Sequence, residues 1–274
     1  MPKFPVSYED LREIGKTGEK VPAIGLGTWN IRDPERAVEA LTYAIERGLK
    51  LIDTAEMYGD GDAERLVGIV VKKVGRDRVF VTTKLLPHRF RSREDVERAM
   101  KASLSRLGLK SVDLVLIHWP DSLSSLETQI RNLEYLAERG YTRYIGVSNF
   151  DYHQLKEALT YTRKHEIVVD QVKYSVVHRE PEARLLPYAI EKGITVQAYT
   201  PIERGYVNSI PLLKQLAEKY GKTPVQVALN FLLARPRVIP IPKTERKERV
   251  DEFIGAMGWR LSSEDIEKIE NMIF

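Results

Sequence analysis

The chain contains no cysteine, which excludes disulfides, thiolate metal sites and cysteine nucleophiles. It has no apolar run near the ~18 residues that a membrane span needs. The longest run, VDLVLIHW at 112–119, has the length of a strand. The opening residues, MPKFPVSYED, lack the apolar stretch of a signal peptide. A cytoplasmic location with no membrane partner is the expectation. Neither sign of charge dominates: 43 basic and 39 acidic residues leave a net charge of +4. Opposite charges are interleaved, even in KTERKER at 243–249. That pattern argues against a nucleic-acid surface and fits an anionic ligand at one site. The 5 histidines, at 88, 118, 153, 165 and 178, show no His-x-His pair, so no metal site is expected. The Gly-x-Gly-x-x-Gly turn of an open dinucleotide-binding sheet is also missing, because Gly25-Leu26-Gly27 continues as Thr28-Trp29-Asn30.

Against these absences stands a regular alternation of patterns. Short, mostly apolar runs begin near residues 23 (AIGLG), 49 (LKLIDT), 78 (RVFVTT), 112 (VDLVLIH), 143 (RYIGVS), 167 (IVVDQVKY), 194 (ITVQAY) and 237 (RVIPIP). Such runs suit parallel strands covered on both faces. Between them the apolar period is helical, as in Val38, Leu41, Ala44 and Ile45, in Val96, Met100, Leu104 and Leu107, and in Leu126, Ile130, Leu133 and Ala137. Asp33-Pro34 and Thr223-Pro224 place a capping side chain before proline. Thr223 with Gln226, and Ser92 with Asp95, have capping-box spacing. Gly48, Gly140 and Gly193 sit where helices should end. The last interval holds two helices, Leu212 to Tyr220 and Val225 to Ala234, and a final helix spans Ser263 to Met272.

Eight strand–helix units without a break in composition predict a single-domain (β/α)8 TIM barrel over 1–274, with extra C-terminal helices. LREIGKTGEKVP, before the first unit, reads as an N-terminal β-hairpin plugging the barrel bottom. A doubly wound open sheet is the alternative, and it lacks its glycine fingerprint.

In such a barrel the chemistry lies at the C-terminal strand mouths. Successive runs end at Asp53, Lys84, His118 and Ser148-Asn149; the next contains Gln171, and the last two end at Tyr199-Thr200 and Lys243-Thr244. Neighbouring strands lie about 4.8 Å apart, so Asp53, Lys84 and His118 are expected to meet. Tyr58, in the loop after Asp53, can fold over the same mouth. An adjacent ammonium favours the phenolate and should lower the tyrosine pKa from about 10. Asp53 would hold Lys84 charged, and His118 would add a second hydrogen bond. The predicted result is an acid aimed at a carbonyl oxygen that also serves as base in reverse.

GLGTW at 25–29, LIDTAEMYG at 51–59, VTTK at 81–84, LIHWP at 116–120, GVSNF at 146–150 and IPK at 241–243 occur in this order. With them the chain resembles the aldo-keto reductase superfamily from about Leu11 to Met257. The resemblance implies reduction of aldehydes or ketones with NADP, NADPH being preferred over NADH. Tyr58 would be the general acid/base, tuned by Lys84 and Asp53, and His118 would orient the carbonyl. Ser148, Asn149 and Gln171 would hold the nicotinamide carboxamide, and Tyr199 would stack on its ring. Thr200, Pro201 and Ile202 would follow the pyrophosphate. Lys243, Thr244 and Arg249 would hold the 2′-phosphate, in agreement with two cations and a hydroxyl near a helix start. Glu252 would lie near the adenine, while Phe253 and Lys173 depart from the family pattern.

Trp29, Tyr58 and Trp119, with Leu86 and Phe90 as additions, should wall a pocket for a flat or apolar small-molecule carbonyl. The short loop from Pro120 to Ser125 and the end at Phe274 predict an open, permissive site. A monomer or weak homo-oligomer is expected. Two other readings remain open: a Schiff-base aldolase using Lys84, and a barrel that binds NADP as a redox sensor without catalysis.

Overall fold

A computed structural model describes residues 1–274. An antiparallel hairpin, β1 (Leu11–Glu13) and β2 (Lys20–Pro22), comes first. The alternating part opens with β3 (Leu26–Gly27), α1 (Pro34–Glu46), β4 (Leu51–Asp53), α2 (Asp62–Val74), β5 (Phe80–Leu85) and α3 (Arg93–Leu107). It continues with β6 (Val112–Ile117), α4 (Leu126–Glu138), β7 (Thr142–Ser148), α5 (Tyr152–Tyr161), β8 (Ile167–Lys173) and α6 (Leu185–Lys192). The last part comprises β9 (Thr195–Tyr199), α7 (Pro211–Tyr220), α8 (Pro224–Leu233), β10 (Val238–Pro240), α9 (Lys247–Ile254) and α10 (Ser263–Glu270).

Strands β3 to β10 lie side by side in chain order, and every pairing is parallel. The seam closes between the first and last of them. Gly25 N donates to Pro240 O and Gly27 N to Pro242 O, both at 3.0 Å, and Gly27 bridges Lys243 in parallel. The seam requires glycine at 25: a Cβ there would lie 2.5 Å from a Leu51 methyl and 3.0 Å from an Ile241 methyl. The expected (β/α)8 barrel is what forms.

The hairpin plugs the barrel bottom. Ile14 and Val21 are fully buried and pack into an interior cluster with Leu51, Phe80, Leu114, Leu116, Val168, Val169, Ile239 and Ile241. Gly15 N donates to Thr195 Oγ1 at 2.9 Å, and Arg237 donates to Gly15 O at 2.7 Å. The larger core lies between the strands and the helical ring, where the stripes of α1 and α3 are buried and that of α4 is buried at Ile130 and Leu133 and half-buried at Leu126 and Ala137. Full burial of each aliphatic side chain contributes roughly 1.5–3 kcal/mol. No helix is long and apolar enough to cross a membrane.

The capping signals act largely as expected. Asp33 Oδ1 accepts from Arg36 N, and Thr223 with Gln226 forms a reciprocal capping box. The Ser92 box is half made: Asp95 N donates to Ser92 Oγ, but the shorter Asp95 side chain accepts from the serine hydroxyl and leaves the cap N–H alone. The sequence reading missed a full box at Asp151 and Gln154. The helix expected to start within 243–249 begins only at Lys247, so Lys243 to Arg246 form a loop. The final helix ends at Glu270 instead of Met272.

Candidate active site

Asp53 ends β4, Lys84 lies near the end of β5, and His118 follows β6 directly. Asp53 pairs in register with Thr82, and Lys84 with Leu116. This stagger carries the Lys84 side chain to the level of the loop after β4. There Tyr58 opens a 3₁₀ turn in which Gly59 and Asp60 take positive φ. Lys84 Nζ donates to both Asp53 oxygens at 2.7 Å, to Thr54 O at 3.0 Å and to Tyr58 Oη at 3.1 Å. The Tyr58 and His118 rings meet edge to face with centroids 5.7 Å apart. The four groups expected to converge do converge.

Their electrostatics differ from the expectation in one respect. Asp53 is 2% exposed and Lys84 1%, so each charge depends on its partner. Burial disfavours the ammonium, but Asp53 and Tyr58 outweigh burial and hold the Lys84 pKa above its ordinary value. Tyr58 was expected to be acidified. Instead its pKa is raised: burial pushes it up, Lys84 pulls it down less strongly, and Asp53 adds to the rise. The phenol is therefore neutral and carries its proton. His118 is pushed down to about 3, by burial first and by Lys84 second. It is a neutral imidazole whose Nδ1 is buried without a partner.

A second network adjoins the first. Gln171 Nε2 donates to Asp53 Oδ1 at 2.7 Å and to Gln197 Oε1 at 2.9 Å. Both of its amide hydrogens are thereby used, and its carbonyl oxygen remains as acceptor. Ser148 Oγ donates to Gln171 O at 2.8 Å, Asn149 Nδ2 to His118 O at 2.9 Å, and Tyr199 Oη to Asn149 Oδ1 at 2.8 Å.

A cavity of about 820 Å³ crosses the barrel mouth. Its lining combines Trp29, Tyr58, His118 and Trp119 with Ser148, Asn149, Gln171 and Tyr199 from the mouths of β7 to β9, Thr200, Pro201 and Ile202 after β9, and Lys243, Thr244 and Arg249 after β10. A groove of about 530 Å³ shares Trp29, Asn30, Met57 and Tyr58 with it and continues between α1 and α2. Four expected site residues do not line the main cavity: Lys84 is buried in its bonds to Asp53, Thr54 and Tyr58, and Phe90, Leu86 and Glu252 lie elsewhere. Phe90 is fully buried in the outer core, its carbonyl capped by Asn132 Nδ2 at 2.7 Å. Leu86 is absent from the wall and contributes its N–H to Glu56 Oε1. Glu252 points to Thr223 Oγ1 and to Arg249, while Phe253 takes the wall position beside it. Sequence reasoning missed Asn30, Arg32, Arg204, Glu245 and Arg246, which all line the cavity. Arg204 stacks over the Trp29 ring at 4.9 Å, from a loop after β9 that no periodicity marks. Glu245 and Arg246 lay within the charged run but were not singled out.

The sequence model of the Aldo/keto reductase family matches residues 23–273. The chain belongs to this family. It is an oxidoreductase of carbonyl groups. It is 35% identical to glyoxal reductase of Bacillus subtilis (strain 168) over 97% of this chain and 94% of that protein. It is 32% identical to methylglyoxal reductase YeaE of Escherichia coli (strain K12), over 91% and 90%. Among solved structures, the thermostable aldo-keto reductase Tm1743, in complex with the inhibitor epalrestat, superimposes with a TM-score of 0.89 at 39% identity, over 95% of this chain and 98% of that one. An aldo/keto reductase from Klebsiella pneumoniae in complex with NADP and acetate gives 0.89 at 32% identity, over 96% and 94%.

Proposed function

We propose that this family member reduces small aldehydes and ketones with NADPH, and that Tyr58 delivers the proton. One observation carries the reading: a charged, buried Lys84 bonded to both Asp53 oxygens and to Tyr58 Oη, where Tyr58 lines a cavity that the cations Lys243 and Arg249 also line.

The residues present fit the cofactor. The free carbonyl oxygen of Gln171 suits a carboxamide N–H, Tyr199 provides an aromatic face on the cavity wall, and Lys243, Thr244 and Arg249 supply cations and a hydroxyl for phosphate. When bound, the nicotinamide supplies the hydride. Tyr58 Oη, protonated at neutral pH, hydrogen-bonds the substrate carbonyl oxygen and gives up its proton as negative charge develops there. Lys84 stabilises the resulting phenolate, and Asp53 keeps Lys84 charged and in place. Neutral His118 orients the carbonyl without adding charge. Trp29 and Trp119 shelter the reacting end from water.

The two bacterial relatives named for glyoxal and methylglyoxal support small 2-oxoaldehydes as the substrate class. A Schiff base at Lys84 finds less support, because a nucleophilic lysine must be neutral and Asp53 holds this one protonated. Steady-state NADPH oxidation with a panel of aldehydes is the test. Tight cofactor binding with no turnover on any carbonyl would replace this reading with that of a non-catalytic binder.

A further inference from the structure

Among the cavity-lining residues of the loop after β10, Glu245 is the one acid. Its carboxylate accepts from Arg32 N at 2.9 Å, from Asp33 N at 3.2 Å and from Lys243 Nζ. Two backbone N–H groups just before α1 and an ammonium are the donors that an external phosphate would use. Here they form an anion cradle filled by the chain's own side chain. The Glu245 side chain is 15% exposed. Burial works against its ionisation, but Lys243 and the two backbone N–H groups outweigh it and hold the carboxyl below its ordinary range. Arg249 is likewise engaged by Glu252. Arg32 and Arg246 line the same cavity and form no ion pair.

We propose that Glu245 competes with the 2′-phosphate of NADPH for Lys243, so that this chain separates NADPH from NADH less sharply than its cations suggest and accepts both. The proposal rests on the functional reading above. A phosphate reaching Lys243 meets a fixed negative charge on the same ammonium, and like charges at contact range repel strongly where solvent screening is partial. NADH presents a hydroxyl at that position, and a carboxylate accepts a hydrogen bond from a hydroxyl. A single residue thus penalises one cofactor and suits the other. The rival account makes Glu245 only a clamp between the loops after β3 and β10. A clamp would affect both cofactors alike.

Fluorescence titration of NADPH and NADH against the wild type, Glu245→Gln and Glu245→Asp separates these accounts. Calorimetry with 2′,5′-ADP and 5′-AMP repeats the comparison without the nicotinamide. Glutamine keeps the shape and an acceptor oxygen but loses the charge. The expected result is NADPH and 2′,5′-ADP binding about fivefold to tenfold tighter in Glu245→Gln, with NADH and 5′-AMP unchanged or weaker. Glu245→Asp, which keeps the charge, should hold the NADPH-to-NADH ratio within about twofold of wild type. An unmoved ratio in Glu245→Gln, or equal changes for both cofactors, overturns the proposal alone. A wild-type protein that binds neither nucleotide overturns the functional reading and this proposal together.

Discussion

The side-chain amide of Gln171 donates to Asp53 Oδ1 at 2.7 Å. The residue expected to hold the nicotinamide is thus bonded to the carboxylate that fixes Lys84, so that under the proposed function binding and proton delivery would share one buried network. Gln171→Leu should therefore weaken NADPH binding and also lower kcat at saturating cofactor. It removes one hydrogen-bond donor from Asp53's carboxylate and leaves the Gln197 oxygen unsatisfied, a loss of roughly 1–3 kcal/mol in stability. Chemical denaturation and saturating kinetics check this. Unchanged kcat would show that Asp53 and Lys84 keep their positions without Gln171.

Tyr58→Phe should lower kcat by about 10² to 10⁴, the range for loss of a positioned acid, with NADPH affinity nearly intact. Fluorescence titration beside single-turnover kinetics checks both halves. Parallel loss of binding would mean that Tyr58 shapes the cofactor site and does not act on the proton.

The pH profile follows from the directions of the shifts. Under the proposed mechanism reduction needs the phenol protonated, and the Tyr58 pKa lies above its ordinary value of 10.0. The reduction rate should stay level through neutral pH and fall only in strong alkali. Alcohol oxidation needs the phenolate and should rise steadily with pH. His118 titrates near 3, so no acid limb should occur near pH 6.5. A break there in kcat/KM would place a charged imidazole in the mechanism.

Asp170 offers a test of stability away from the proposed chemistry. It is fully buried, no side chain bonds either of its oxygens, and only the Phe150 backbone N–H favours its ionised form. Burial raises its pKa well above the usual value. The native state therefore keeps the proton that the unfolded chain releases above its own pKa. Stability from this group is lost as pH rises through the raised native value. Asp170→Asn should raise Tm clearly at pH 8 and little at pH 4. Comparable gains at both values would show that Asp170 is ionised and supported in the fold.

Gly25 and Lys84 mark what could be read from one dimension. Strand count, order and parallel direction followed from apolar runs of strand length alternating with helical stripes, because burial on both faces imposes that pattern. The strand-end residues Asp53, Lys84 and His118 were legible for the same reason: a polar group closing an apolar run has to sit at a barrel mouth. Phe90 was misplaced because an aromatic side chain just past a strand suits a pocket wall and a core equally well.

Other properties needed the tertiary structure. The sign of the Tyr58 shift depends on how burial balances against Lys84 across 3.1 Å, and no spacing along the chain encodes that balance. Arg204 reaches Trp29 across the mouth, and Glu245 settles on backbone N–H groups of Arg32 and Asp33, because closure of the barrel brings its last loop beside its first. The order of residues determined which groups each strand delivers. Only the closed ring decided which of them touch, since contact, burial and shared charge depend on distances through space.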